Sequence, residues 1–547
     1  MLHVVALAAL TNLLPHGPSG TVGRTGPVGN GLHAVAFVND PLSHGTVGDN
    51  LLSLNEAIRL HNRVLQFSQL SPAEQNQISG FGLDVGWADI DESSTPVITV
   101  QQPLDAIVDM PHGFLIGGTN GRPVIDFTGT NSGFVAVSDF CNWRELVVRG
   151  GSWGIDLTQT NAVYGTQVVG VEFEQIATVG VRVRGNGAGL GRVLFDNCKF
   201  TAVPDAIVVD ETAPDRSGFF YANRMRFLGG NSAITLSLGN GFSTVCQFDK
   251  LEASTLVSGV RILRPNGANR ILALQAQYWD VESATGFECE SLPGPLTTQL
   301  TMRMVQLRKR APGNVVARFL PDSGSLLATL EEWTVDGSAV LACGTGSMDL
   351  DNPRMANGTV ALRAGTTDCV RVELARLDSC ALVADGTARA RVDASCIVGG
   401  SVAATGAGSL LLGTTYVGAP VGGAVQQLQP VAAAQLGSMS LSPRNPQLGG
   451  TISLQADLPS GCFGLFAMGV TAEFPTLQSY PVHVYMEPAT IYTFPGIYTG
   501  QQGTTLAVPN NLALLDTDWT AQVVVLPLPG STAPALSLPP GQRFVLR

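Results

Sequence analysis

The chain has 547 residues, a formal net charge of −12 from 43 Asp+Glu against 31 Lys+Arg, and only 14% charged residues, well under the ~25% of an ordinary soluble domain. With 63 Gly, 32 Pro and 45% apolar residues it excludes a helical bundle, a coiled coil and a solvated disordered chain, which need helix-former bias or high charge, and it favours an all-β chain rich in turns. Lysine is nearly absent (Lys199, Lys250, Lys309), Arg308-Lys309-Arg310 is the one basic run, and no apolar stretch reaches the ~18 residues of a membrane span, so neither nucleic acid nor a transmembrane segment is expected.

In chain order, Met1 to Leu10 is apolar and of the size of a secretory core, although no Lys or Arg precedes it, and residues 1–18 read as a signal segment. Residues 19–112 read as an N-terminal cap. Within them, Ser53-Leu54-Asn55-Glu56 is a capping-box start and Ala57-Ile58-Arg59-Leu60 continues it as a short helix able to close the open end of a solenoid. Asp89-Ile90-Asp91-Glu92-Ser93 begins like a calcium loop, but Ser94 at position six and Val100 at position twelve exclude an EF-hand. No cofactor or metal site is therefore expected beyond a loose surface calcium.

Strands and turns follow at Ile98-Thr99-Val100, Gln102-Pro103-Leu104-Asp105-Ala106-Ile107, Phe114-Leu115-Ile116-Gly117-Gly118 and Val124-Ile125-Asp126-Phe127. Together with Leu52-Ser53-Leu54-Asn55-Glu56-Ala57-Ile58, this stretch resembles the N-terminal region of secreted bacterial right-handed β-helix proteins of the polymorphic outer-membrane and CSLREA type, of pectate-lyase-like architecture. It departs from them in lacking the leading Cys and in carrying Asn55 where they have Arg. The resemblance implies a fold and an exported life; it brings no catalytic residues.

From 113 to 416 a repeat is carried by spacing. Phe195, Cys198, Phe200, Ile207 and Val209 form two alternating apolar runs separated by a bend. The offsets recur at Trp143/Leu146/Val148/Ile155/Leu157, at Ala222/Met225/Phe227/Ile234/Leu236 and at Phe248/Leu251/Ala253/Val260/Ile262. With one residue inserted in the bend they recur at Val168/Val171/Phe173/Val181/Val183 and Leu274/Gln277/Trp279/Phe287/Cys289. The pattern weakens near 306, resumes at Trp333, Val340 and Ala342, and tightens to about 20 residues through Leu350/Val360/Leu362, Val372/Leu374/Leu382 and Val392/Val402. Short strands with period-two alternation at this interval predict a right-handed parallel β-helix of about ten coils, whose inward positions stack ~4.8 Å apart. Residues 417–435 read as a Gly/Pro/Ala/Gln linker, and the alternating runs within 436–547 as a C-terminal β-sandwich.

Candidate chemistry lies on the outward positions of the same grid. One outward ladder runs Asp196, Asn223, Asp249, Gln275; the next Val147, Glu172, Lys199, Arg226, Glu252, Tyr278; a third Asp156, Arg182, Val208, Thr235, Arg261, Glu288. Asp196 and Asp249, two coils and so about 9.6 Å apart, stand at the upper limit of an inverting acid/base pair. As an alternative, Tyr278 or Arg261 beside Glu288 offers a lyase base. Glu172, Arg226, Glu252, Arg261 and Glu288 are candidate substrate contacts, with alternating-charge stabilisation as their ordinary role. Residues 113 to 482 contain no His, and the His-bearing signatures of known β-helix enzymes are absent with it. Cys198 and Cys289 fall inward as small buried thiols, and a bridge such as Cys369–Cys380 is left open.

Three functions fit. The first is a non-catalytic exported or cell-surface protein presenting a long face to polysaccharide. The second is a polysaccharide lyase or glycosidase, and the third a spike or appendage subunit that trimerises along the helix axis.

Overall fold

The computed structural model describes residues 33–43, 47–80, 85–108, 113–137, 140–158, 165–185, 192–211, 218–238, 243–263, 271–291, 297–321, 325–364, 370–373, 375–393, 395–430, 438–442, 446–470, 477–479, 482–484, 492–493, 497–508, 510–511, 517–527, 536–537 and 542–545. The segment 1–18 lies outside them.

The chain is all-β and winds as a parallel β-solenoid. A representative coil places Arg192–Asp196 and Lys199–Thr201 in a 27-stranded sheet and Asp205–Glu211 in a 13-stranded one. Alternation dictates which side chains enter: Val193, Phe195, Phe200, Ile207 and Val209 are buried, while Leu194, Asp196 and Lys199 lie between them on the outer side. Between the first two strands Asn197 adopts a left-handed conformation, φ 53°, and the same bend recurs at Glu145, Gly170, Arg224, Lys250, Tyr278, Met304, Glu332 and Asn352. Such backbone costs on the order of 1 kcal/mol or more for a residue with a Cβ. Stacking offsets it, because each bend amide donates to the coil above: Glu145 N to Val169 O at 2.9 Å, Gly170 N to Asp196 O at 2.8 Å, Asn197 N to Asn223 O at 2.9 Å.

The interior is a column of equivalent side chains. Phe173, Phe200 and Phe227 lie ring on ring at 4.6 and 5.2 Å, and Phe248 meets Trp279 edge-on at 5.5 Å. Cys198 and Cys289 are buried in this column, and burial pushes the Cys198 thiol up to about 12. Cys343 is disulfide-bonded, whereas Cys380 is a free buried thiol, so the Cys369–Cys380 bridge does not form.

Pairing register follows the sequence grid residue for residue from Trp143 through Ile262: Trp143 with Val168, Val168 with Phe195, Phe195 with Ala222 and Ala222 with Phe248. It departs at two places. Phe248 pairs with Ala276, Leu251 with Trp279 and Ala253 with Val281, so the inward set of that coil sits two residues later than the spacing predicts and Tyr278 falls in the bend. A bulge between Val315 and Ala317 shifts the other sheet by one, which turns Ala339 and Leu341 inward in place of Val340 and Ala342.

At the N-terminal end Ala34–Val38 pairs in parallel with Val85–Ile90, and its other edge pairs antiparallel with Ile78–Ser79. The helix Leu54–His61 packs beside these strands with its capping box closed: Ser53 Oγ accepts from Glu56 N at 3.2 Å and Glu56 Oε2 from Ser53 N at 2.8 Å. At the other end Val425–Pro430 pairs in parallel with Ser409–Gly418, inside the stretch read as a linker. Beyond it a seven-stranded antiparallel sheet forms around Thr451–Val470, with a separate two-stranded hairpin, Leu477–Ser479 with Val482–Val484. Among the described residues no helix is long and apolar enough to cross a membrane.

Candidate functional site

The outward ladders position the candidate residues, and the pairing confirms most of their neighbours. Asp196 opposes Asn223, which opposes Asp249; Glu172 opposes Lys199, then Arg226 and Glu252; Thr235 opposes Arg261 and then Glu288. After Asp249 and Glu252 the neighbours are Gln277 and Asp280, not Gln275 and Tyr278. Tyr278 therefore leaves the ladder for the left-handed bend, because its coil carries its inward residues two positions later. Arg261 does lie beside Glu288, but on the 13-stranded sheet, while Tyr278 belongs to the other.

Ion pairs between coils occupy most of these charges. Glu172 receives Arg122 Nη1 at 2.5 Å and Lys199 Nζ at 3.1 Å; burial pushes its carboxyl up, but the hydrogen bonds and charges of Lys199 and Arg122 outweigh that and hold it below its ordinary value. Arg226 Nε reaches Glu252 at 3.0 Å. Glu288, only 5% exposed, lies between Arg261 at 3.4 Å and Arg318 at 3.5 Å. Asp196 is clamped as well: Arg224 donates through Nη2 at 2.6 Å and Nε at 3.1 Å, and Asn223 Nδ2 at 3.0 Å.

Asp249 is the exception. Burial raises its carboxyl above the ordinary value against the opposing pull of Lys250, Gln277 and Arg224, and its Oδ1 is buried without a hydrogen-bond partner among the described residues. Sequence reasoning missed Tyr221, two residues before Asn223 on the same outer face. Burial first, then the charges of Asp249 and Asp196, push its phenol up to about 12. The signal was present, since a side chain at i−2 from a ladder position shares its face. At that value Tyr221 stays protonated near neutral pH and serves as a hydrogen-bond donor rather than a base.

Asp91 closes a turn, accepting from Ser93 N at 3.0 Å and Ser93 Oγ at 2.8 Å, and takes Asn120 Nδ2 at 2.9 Å. Among the described residues no group of three or more His, Cys, Asp or Glu is placed to hold a metal ion. No family model, curated protein or solved structure matches this chain.

Proposed function

We propose that this is an exported or cell-surface β-helix protein, right-handed and of pectate-lyase-like architecture, that presents its long outer face to a polysaccharide without cleaving it. The cross-coil neutralisation of Glu172, Glu252, Glu288 and Asp196 carries this reading. Paired across coils with Lys199, Arg226, Arg261 and Arg224, these carboxylates form a rigid polar face. The disulfide at Cys343 supports an oxidising compartment. The helix Leu54–His61 and the strand Ile78–Ser79 act as the cap that blocks edge-to-edge growth at the N-terminal end, and the sheet around Thr451–Val470 is one layer of a C-terminal sandwich.

A second reading rests on Asp249. Asp249, its carboxyl raised by burial and its Oδ1 without a hydrogen-bond partner among the described residues, stands across Asn223 from the arginine-clamped Asp196, and such unequal surroundings are what separate an acid from its partner in glycoside hydrolysis, with Tyr221 as an added donor. One experiment separates the two. The full chain is passed over a panel of neutral and uronic polysaccharides while reducing ends and unsaturated-uronate absorbance are followed, with Asp249→Asn and Tyr221→Phe alongside. Retention without product supports the binding protein. Product that disappears in Asp249→Asn overturns it in favour of the hydrolase.

A further inference from the structure

At the C-terminal end of the solenoid a cavity of about 980 Å³ opens over the first residues of four stacked strands, Val370–Glu373, Arg389–Asp393, Ser409–Gly418 and Val425–Pro430. Its lining contains Arg371, Arg389 and Arg391, the polar side chains of Ser409 and Gln426, and, among the described residues, neither a carboxylate nor an aromatic ring. The connections before three of these strands are short. Only residues 387–388 join Ala381–Gly386 to Arg389, where six residues, 186–191, join Val179–Gly185 to Arg192 in an earlier coil.

The arginines are arranged against electrostatic preference. Arg371 and Arg391 are direct cross-strand partners, one coil apart, and Arg389 lies two residues before Arg391 on the same face. Arg371 is held by Glu373 at 2.5 Å and Arg391 by Asp393, both two residues further along the strand, and Asp349 is Arg371's neighbour on the preceding coil. None of these carboxylates enters the lining, and Arg389, exposed, has no ion-pair partner among the described residues. On a chain of net charge −12, the cavity thus brings three guanidinium groups together, one of them without an ion-pair partner among the described residues.

We propose that this cavity binds an acidic glycan by its saccharide-borne oxyanions, carboxylate or sulfate, with Arg389 as the principal contact and Arg371 and Arg391 reading the neighbouring anions. The inference rests on the glycan-binding reading and makes it specific: the acidic ligand is taken at the arginine cavity and not on the mid-solenoid ladders.

The test measures retention of the full chain on immobilised polygalacturonate, dextran sulfate and neutral dextran across a salt series. Wild type is compared with Arg389→Ala, with Arg371→Gln and, as a mid-ladder control, with Arg226→Ala. Thermal melting verifies that each variant is folded. The expected result is at least tenfold weaker binding to one or both acidic polymers for Arg389→Ala, a flatter salt dependence, and a loss for Arg226→Ala smaller than for either cavity variant. The acidic polymer that responds identifies carboxylate or sulfate as the ligand group. Acidic binding untouched by the cavity variants but lost in Arg226→Ala overturns the cavity and leaves glycan binding standing, as does binding to neutral dextran alone. Failure of wild type to bind any of the three, and any polymer of the wider panel, overturns both.

Discussion

The two halves of the solenoid solve the same stacking problem with different charges and different side chains. On the 27-stranded sheet up to Asp336, ion pairs run from coil to coil: Glu172 with Lys199, Asp196 with Arg224, Arg226 with Glu252, Asp280 with Arg308 and Lys309 with Asp336. From Arg371 onward they run along single strands, as in Arg371–Glu373, Arg376–Asp378 and Arg391–Asp393. Like charges then stack along the axis, arginine over arginine at 371 and 391, carboxylate over carboxylate at 351, 373 and 393. The core changes in parallel, from phenylalanine and tryptophan to Val, Leu and Ala. The earlier half uses its charges to bind coil to coil, whereas the later half leaves a cation column facing outward, and a cavity opens beside it.

The largest expected effect tests the cores. Phe200→Ala removes the middle ring of the Phe173–Phe200–Phe227 stack and should cost about 3–5 kcal/mol. Each coil touches only its neighbours, so the loss should appear as faster amide exchange over the adjacent coils, with the strands from Val370 onward unchanged. Uniform acceleration along the whole chain would mean that the halves melt as one unit.

Next are two glycines that make the same turn in both halves. A Cβ on Gly230, φ 82°, would stand 1.9 Å from Val203 O, and one on Gly400, φ 71°, 2.0 Å from Cys380 O. Gly230→Ala and Gly400→Ala should therefore each cost about 1–3 kcal/mol or more from backbone strain alone, whatever the side chains around them. Denaturation that finds only one of them destabilised would show that the two halves do not share backbone geometry.

A smaller effect concerns a buried carboxylate of the early coils with no cation beside it among the described residues. Asp89 is 6% exposed, and burial followed by the charge of Asp91 raises it to about 6 from an ordinary 3.8. The native state then holds its proton where the unfolded chain has lost it, so this group makes stability fall as pH rises from about 4 to about 6. Asp89→Asn keeps an oxygen for the Thr119 hydroxyl and removes the charge. It should raise stability near pH 7 by on the order of 1–2 kcal/mol and leave it unchanged near pH 3.5. Melting curves that shift equally at both pH values would refute the assignment to this carboxyl.

How much of this the residues disclosed in advance follows from where the repeat is regular. Between Trp143 and Ile262 apolar alternation and bend length agree in each coil, so inward and outward positions could be assigned without a structure. The grid slipped at Tyr278 because bend residues 250 and 278 are separated by two more positions than 224 and 250, and Trp279 follows the bend directly instead of standing three residues past it. It slipped at Val340 because a bulge leaves no mark in composition. The face joining Asp196 to Asp249 was legible because the ladder is polar at regular offsets. Tyr221 was not, because a two-strand grid begins one residue after it. The arginine columns were hidden for a different reason: their charges cancel within each strand, and only the register shows like stacked on like.

Exchanging one pair of charges probes that arrangement with the smallest effect. In the double variant Arg371→Glu, Glu373→Arg, net charge and the pairing along the strand are kept. In the carboxylate column the exchanged position, now cationic, lies between Asp351 and Asp393, so two repulsive neighbours become attractive. In the arginine column, attraction to Asp349 is lost and attraction to Arg391 gained, which nearly cancels. At about 0.2–1 kcal/mol per cross-strand pair, the variant should be slightly more stable than wild type, with the gain fading as salt is added. It should also weaken retention on acidic glycan, since one of three cavity cations is replaced by an anion. More stability with less binding would mean that the like-charged column is kept at the expense of the fold for the sake of the ligand. Less stability, or binding unaltered, would mean that the in-strand pairs suffice and that the column has no outward purpose.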